Sequence, residues 1–577
     1  MTSDALRFPF VAALFATFLM ISMVGCGDSS EPTHDPGTDS TADQDPIGSD
    51  EVLDETADEP DQSGEEDVVT EDTVEVDDSD ADPEDAEIEE DETPPYVVSS
   101  IPANEAIGVK IPFEVHVTFS EALRADTVDD NGFRVYDYIG KNTLQPMQGT
   151  VSYDPETFTV SFIPSTGAIF RKATPYLIEI GGRIQDRAGN MVERTTIRFA
   201  TEAFPDLEPY FELAKEYAPV LKQAVDKMNP ALDYPTKVNF DGDWDITNNL
   251  ANLQTATSIT PAVYWDVIES KTHYFIRYAF YYLKKDGQSQ YANDLSGAMV
   301  VVEKTTKTPI AVETYFSDKD FEDFRSYVTQ ESGLVVDGGK SGTPNGDYND
   351  DDRIKYGANW VFLKNELFPN NRYVAYLSAK GHESCVWAQE NKENAQDDWC
   401  DLSGGKKATL SIVEMAYTGA ATDIEKAPNW PFSTGVGQAY GYELLSMMDE
   451  WWVRRDRSEN LFSGVFTYEA PDNRPGSEQS GALKAPAGFQ GAAQDSTAGA
   501  LMPWVWQWIK PRKWFGDTFP AEIGIKPGYF FLDPAYYFAL KHQFRLSNDN
   551  TDFSGAYCYN PYLMPFLDPR KTDPQCR

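Results

Sequence analysis

Between residues 27 and 95 the chain carries 30 Asp or Glu and no Lys or Arg. Charge of that density leaves too little apolar surface to offset the entropy of ordering. The stretch "DETADEPDQSGEEDVVTEDTVEVDDSDADPEDAEIEEDE" is therefore expected to be a disordered, self-repelling linker, spanning 26–93. A flexible chain of this length averages roughly 45 Å end to end, and mutual repulsion extends it. Of the formal net charge of −48, 30 units sit in this linker and the leader before it is neutral overall, which leaves −18 for residues 96–577. Such acidity argues against nucleic-acid partners, whose phosphates need basic surface.

The linker is preceded by "MTSDALRFPFVAALFATFLMISMVGCGDSS". Arg7 stands before an apolar run from Phe8 to Val24, then small residues and Cys26. Residues 1–25 read as an export signal peptide, too short for a spanning helix. The tail "MVGC" resembles the lipobox of bacterial lipoproteins. That resemblance implies cleavage before Cys26, lipid attachment at Cys26, and anchoring in the outer membrane or at the cell surface of a Gram-negative bacterium. A soluble secreted product is the alternative. Of five cysteines, Cys385, Cys400, Cys558 and Cys576 remain once Cys26 is assigned to lipid. In an oxidising compartment four cysteines imply two disulfides with three pairings open. Proximity favours Cys385–Cys400 and Cys558–Cys576, each worth on the order of 3 kcal/mol. A thiol nucleophile is not expected.

From "TPPYVVSSIPANEAIGV" to about Thr201 the chain reads as short strands separated by turn residues. "FEVHVTFS" alternates, with Phe113, Val115 and Val117 on one face and His116 and Thr118 on the other. "GTVSYDPETFTVSFIP" is a hairpin around "YDPET". The pattern fits a seven-strand sandwich. Together with "VTFSEAL", "TPYLIEI" and "IQDRAGN", these landmarks resemble the SbsA-type bacterial Ig-like domain over 94–202, which implies a spacer or adhesive module. The expected fold class is mainly β: an Ig-like sandwich followed by a larger β-rich α+β domain at 203–577 with appended helices.

In that C-terminal region "PDLEPYFELAKEYAPVLKQAVDKM" has apolar residues at helical spacing and is expected to be one helix. "AVYWDVIESKTHYFIRYAFYYL" is a hairpin whose second arm puts His273, Phe275, Arg277 and Ala279 on one face. "LSGAMVVVEK", "TPIAVETYF" and "NRYVAYLSAK" read as strands. "GQAYGYELLSMMDEWWVRR" and "DPAYYFALKHQF" read as helices. The order "THYFIRYAFYY", "NDLSGAMVVVEK", "RYVAYLSAKGHES" resembles the core strands of Vps62-like and, more distantly, NPP1-like β-rich proteins. Relatives of this kind carry His and Glu just before the Asn-Asp-Leu element, where this chain has Tyr291 and Ala292. The Gly-His-Arg-His-Asp-Trp-Glu heptad of NPP1-like toxins is also absent.

Three constellations carry candidate chemistry. His273, His382 and Glu383 supply a general base and an orienting carboxylate for a hydrolase, with Asp294 as an alternative orienting group, provided the fold brings the two histidines together. Asp241, Asp243 and Asp245 alternate in "DGDWD" and offer three oxygens to calcium, or a solvated acidic face. The loop "GTPNGDYNDDDRIKYG" repeats that alternation as an exposed turn. Trp504, Trp506 and Trp508 share one face of an extended segment and suit a glycan or a lipid headgroup, or fill a core. No nucleophile elbow, P-loop, zinc-protease or dinucleotide motif is present. The expected function is a surface-anchored lipoprotein whose Ig-like spacer presents a C-terminal domain that binds a glycan or lipid headgroup, with calcium as the candidate cofactor. The alternatives are a metal- or His-dependent hydrolase and a purely structural envelope protein.

Overall fold

The computed structural model describes residues 91–577 apart from 112, 138–144, 169, 203–206, 288–289, 319–320, 333–358, 388–409, 427–438, 459, 472–473, 475–482, 492–498, 507–527, 543–545, 548–552 and 564–577. The leader, Cys26, most of the linker, the loop "GTPNGDYNDDDRIKYG", Cys400, Trp508 and Cys576 lie outside the described residues. Among the described residues no helix is long and apolar enough to cross a membrane.

The N-terminal part is a two-sheet sandwich. One sheet has the strand order Val97–Ile101, Val115–Phe119, Thr159–Pro164, Gly149–Asp154. The other runs Ala106–Val109, Thr195–Thr201, Pro175–Ile180, Phe133–Asp137, Gln145–Pro146. Two short edge strands, Ala106–Val109 and Gln145–Pro146, take the sandwich beyond the seven strands expected. Alternation sets the faces: Val115 and Val117 are fully buried in the sandwich core with Val160 and Ile178. His116 lies on the outer face with Nδ1 2.8 Å from Ser161 Oγ. The sandwich already grips the chain at Asp91, whose carbonyl accepts from Asn190 Nδ2 at 2.6 Å.

The C-terminal part is built on an eight-stranded sheet. Its path is Asn359–Phe362, Phe321–Thr329, Thr308–Asp318, Gln290–Glu303, His273–Asp286, Ala262–Ser270, Glu443–Ser446, and Tyr557–Tyr559 also pairs with Ala262–Ser270. The expected hairpin forms, with Ile268 opposite Phe275 and Tyr264 opposite Ala279. Both of its faces are covered. Phe275 and Arg277 meet Phe538 and Phe531 of the helices Pro534–Lys541 and Tyr529–Leu532. Tyr278 donates to the Ala214 carbonyl, and Tyr282 donates to Gln223 of a second, five-stranded sheet. That sheet has the order Ser384–Val386, Val374–Leu377, Val220–Asp226, Leu410–Ala416, Ala439–Gly441.

Two expected helices are corrected. The first ends at Glu216, and Val220–Asp226 is a strand between two partners in the five-stranded sheet. Pro219 explains the break: it lacks an N–H and drives Ala218 out of the helical region. In the second, Ala439–Gly441 and Glu443–Ser446 are strands, and only Met447–Glu450 is α-helical. Ser446 caps that short helix by accepting from the Asp449 N–H at 3.2 Å. Pairing of Glu443–Ser446 along Ala262–Ser270 supplies the backbone bonds that a longer helix would have made.

Candidate functional site

Where the two C-terminal sheets face each other, the turn between Val374–Leu377 and Ser384–Val386 carries His382 inward. Lys380 and His382 sit at φ 64° and 55°, in the left-handed region that side chains other than glycine adopt sparingly. This twist aims the imidazole at the end of the long hairpin. The ring lies flat on Tyr282, centroids 3.7 Å apart and 4° from parallel. Its Nδ1 is 2.7 Å from Asp294 Oδ2, on the strand position directly opposite Tyr282. Its Nε2 is 3.3 Å from Asp233 Oδ1, which follows the short 3-10 turn Pro230–Leu232. Asp233 also accepts from the backbone N–H groups of Asp226 and Lys380, both at 2.6 Å. Asp294 also accepts from the Tyr291 hydroxyl at 2.8 Å, and Lys285 donates to the Gly381 carbonyl at 2.7 Å.

His382, Asp233 and Asp294 are at most 1% exposed. Burial alone pushes the imidazole pKa down, but the hydrogen bonds to Asp233 and Asp294 more than reverse this and hold it above its ordinary value. Burial likewise pushes Asp294 up, and the Lys285 charge together with the His382 bond reverses that, keeping the carboxyl below its usual range. The result is an imidazole ring held between Asp294 and Asp233 and shut away from solvent. Nδ1 is hydrogen-bonded to Asp294, and one ring face is covered by Tyr282. The arrangement straps a turn to a sheet.

His273 is not part of this clamp. It lies nine residues from Tyr282 along one strand, roughly 30 Å at the rise of an extended chain. There it packs on Phe553 at 4.4 Å with Nδ1 2.8 Å from Thr272 Oγ1, and burial pushes its pKa down to about 4. The shared His273/His382 site is therefore overturned: the strand that carries one histidine separates it from the other. Glu383 is buried, and its carboxylate packs over Gly381, where a side chain would collide with it.

Trp504 and Trp506 are fully buried, which corrects the ligand platform expected of them. Pro503–Val505 is a 3-10 turn, not an extended segment, so the alternation does not put the rings on a common open face. Trp504 meets Trp452 and Phe531 edge-on, and Trp506 meets Tyr315. The "DGDWD" carboxylates do not converge either. Asp241 accepts from Asn252, Asp243 from the Asp245 N–H, and Asp245 from Thr247, so each serves its own loop. Among the described residues the carboxylates that do approach one another are Asp91, Glu121 and Asp186, with oxygens within 4.8 Å. Burial and the neighbouring Asp91 and Asp186 raise the Glu121 pKa, while Asp186 accepts from the Gly189 and Asn190 N–H groups. Asp186 stands in "IQDRAGN", a landmark of the sandwich fold. Cys385 and Cys558, the cysteines among the described residues, are disulfide-bonded and hold no free thiol.

Two buried ion pairs were not legible as a site. Arg277 makes a two-pronged bond to Asp266 and stacks on Phe531, with the Tyr562 hydroxyl also donating to Asp266. Arg474 makes a similar pair with Asp533. Each joins C-terminal segments to the sheet or to one another.

No curated protein matches the chain. Among solved structures the chain is similar to PcoC, a methionine-rich copper resistance protein from Escherichia coli, at 17% identity over 18% of this chain and 97% of that one, TM-score 0.16. It is similar to the N-terminal part of the bacterial S-layer protein SbsC at 14% identity over 35% of this chain and 43% of that one, TM-score 0.15. An L,D-transpeptidase from Mycobacterium smegmatis follows at 13% identity over 38% and 79%, TM-score 0.14. Residues 91–201 match the family of bacterial Ig-like domains, and the two-sheet sandwich built from them is that domain.

Proposed function

We propose that this chain is an exported bacterial envelope protein, held to the outer membrane or cell surface by acyl chains on Cys26. The acidic linker lifts a β-rich body away from the bilayer. The observation that carries this reading is positional: a bacterial Ig-like domain begins at residue 91, directly behind a signal-like leader and a linker with 28 carboxylates between residues 27 and 90. The disulfide-bonded state of Cys385 and Cys558 supports an oxidising compartment. Within this reading Cys385 pairs with Cys400 and Cys558 with Cys576. The C-terminal region is the element on display, and its ligand is an envelope or extracellular glycan or lipid headgroup taken on its outer surface. Trp504 and Trp506 are not part of that surface. The hydrolase alternative loses its constellation with the separation of His273 from His382.

Membrane fractionation and protease treatment of intact cells test the proposal. The native protein is expected in the membrane fraction and cleaved on intact cells, and Cys26→Ser is expected in the soluble fraction. Recovery of the native protein from the cytosol with Met1 retained would sink it. Glycan and lipid arrays probed with the mature protein then read out the ligand class.

A further inference from the structure

The turn "RRDR", Arg454–Arg457, belongs to the C-terminal region, yet three of its side chains reach into the Ig-like domain. Arg455 is 5% exposed and donates from one guanidinium nitrogen to the carbonyls of Ala173 and Trp452, both at 2.8 Å. Asp456 accepts from Arg198 at 3.2 Å, and Arg457 is ion-paired with Glu105. The signs run in register: cation to carbonyl, carboxylate to arginine, cation to glutamate. Ala173 is held at φ 49° and is buried in the same apolar cluster as the C-terminal core rather than in the sandwich core. Behind the charges, Pro175 and Phe199 of the sandwich face Val453 along one seam.

Domains joined only by a linker move independently by default. Here separation would break the Arg455, Asp456 and Arg457 contacts together and expose Ala173, a residue of the neighbouring core, to water. We propose that the Ig-like domain is not a detachable spacer but is fused with the C-terminal region into one cooperative folding unit, locked by Arg455, Asp456 and Arg457. This does not depend on lipid anchoring or on any ligand. Its consequence for display is that the two domains present a fixed geometry.

The sequence provides the probe. None of the 12 tryptophans lies between residues 91 and 201, so tryptophan fluorescence reports the C-terminal region alone. Val117 is fully buried in the sandwich core, on the sheet that does not carry Pro175 or Phe199. In the full-length protein, Val117→Ala is expected to lower the denaturant midpoint read by tryptophan, although no tryptophan is near it in sequence. The same substitution in an Arg455→Met background is expected to leave the tryptophan midpoint where Arg455→Met alone puts it. A tryptophan midpoint identical in wild type and Val117→Ala would show that the domains unfold separately and overturn the proposal. That comparison stands on its own if Arg455→Met does not fold.

Discussion

The surroundings of His382 raise its pKa, and the sign of that shift makes a prediction. Its folded pKa lies above the ordinary value near 6.5. The stabilisation it contributes is therefore complete below about pH 6.5 and is lost as pH rises through the raised value. Asp294 works in the opposite sense: its depressed pKa contributes stability that is complete above about pH 4 and is lost as pH falls through the lowered value. The clamp is at full strength between those limits. His382→Gln removes the cation and leaves two buried carboxylates facing each other, so at pH 6 it is expected to lower the unfolding free energy by about 3–5 kcal/mol. The gap between wild type and variant should narrow as pH climbs past the raised value, measured by denaturant titration from pH 6 to 10. A gap that stays constant across that range would mean that His382 is held neutral. The "GHE" turn and the "NDL" element made His382 and Asp294 legible in the sequence. Asp233, in "NPALDYP", was not, because only the three-dimensional return of the turn brings it to the ring.

Elements whose faces differ in polarity were read well, and elements buried on both faces were not. The sandwich strands alternate and fall where the pattern puts them. The hairpin Ala262–Ser270 and His273–Asp286 was recognisable from its length and aromatic content, but its alternation says nothing about what covers each face. Helical spacing misled at 217–228 and at 439–446, where sheet neighbours outweigh local periodicity once Pro219 or Gly441 has broken the helix. The tryptophan run failed for a related reason, since alternation places side chains on a common face only if the backbone is extended. Gly297 shows how closely these layers pack. It lies opposite Ala279 and Tyr315, and a side chain there would collide with the Tyr315 ring and the Tyr278 carbonyl. Gly297→Ala is expected to destabilise the protein by about 1–3 kcal/mol through overpacking. Equilibrium denaturation checks this, and an unchanged midpoint would mean that the Tyr315 ring has room to move aside.

On the scale of the whole molecule, charge is segregated by role. In the folded part, acidic and basic groups meet in specific pairs, and the "RRDR" turn, which in sequence resembles any solvated charge run, proves to be a seam. The linker has 30 carboxylates and no basic residue to meet them, so its dimensions should answer to salt while those of the folded part do not. The Debye length falls from about 30 Å at 0.01 M salt to about 3 Å at 1 M. Neighbouring linker carboxylates therefore repel across many residues in dilute salt and hardly at all in concentrated salt. Small-angle scattering of the mature protein is expected to show a radius of gyration that shrinks steadily over that range. A chain beginning at Asp91 should show one that stays constant. If both chains respond alike, the salt-sensitive element lies in the folded part; if neither responds, the linker is compact and does not lift the body from the membrane. Contraction confined to the longer chain would locate the protein's adjustable dimension in the acidic segment that precedes the folded part.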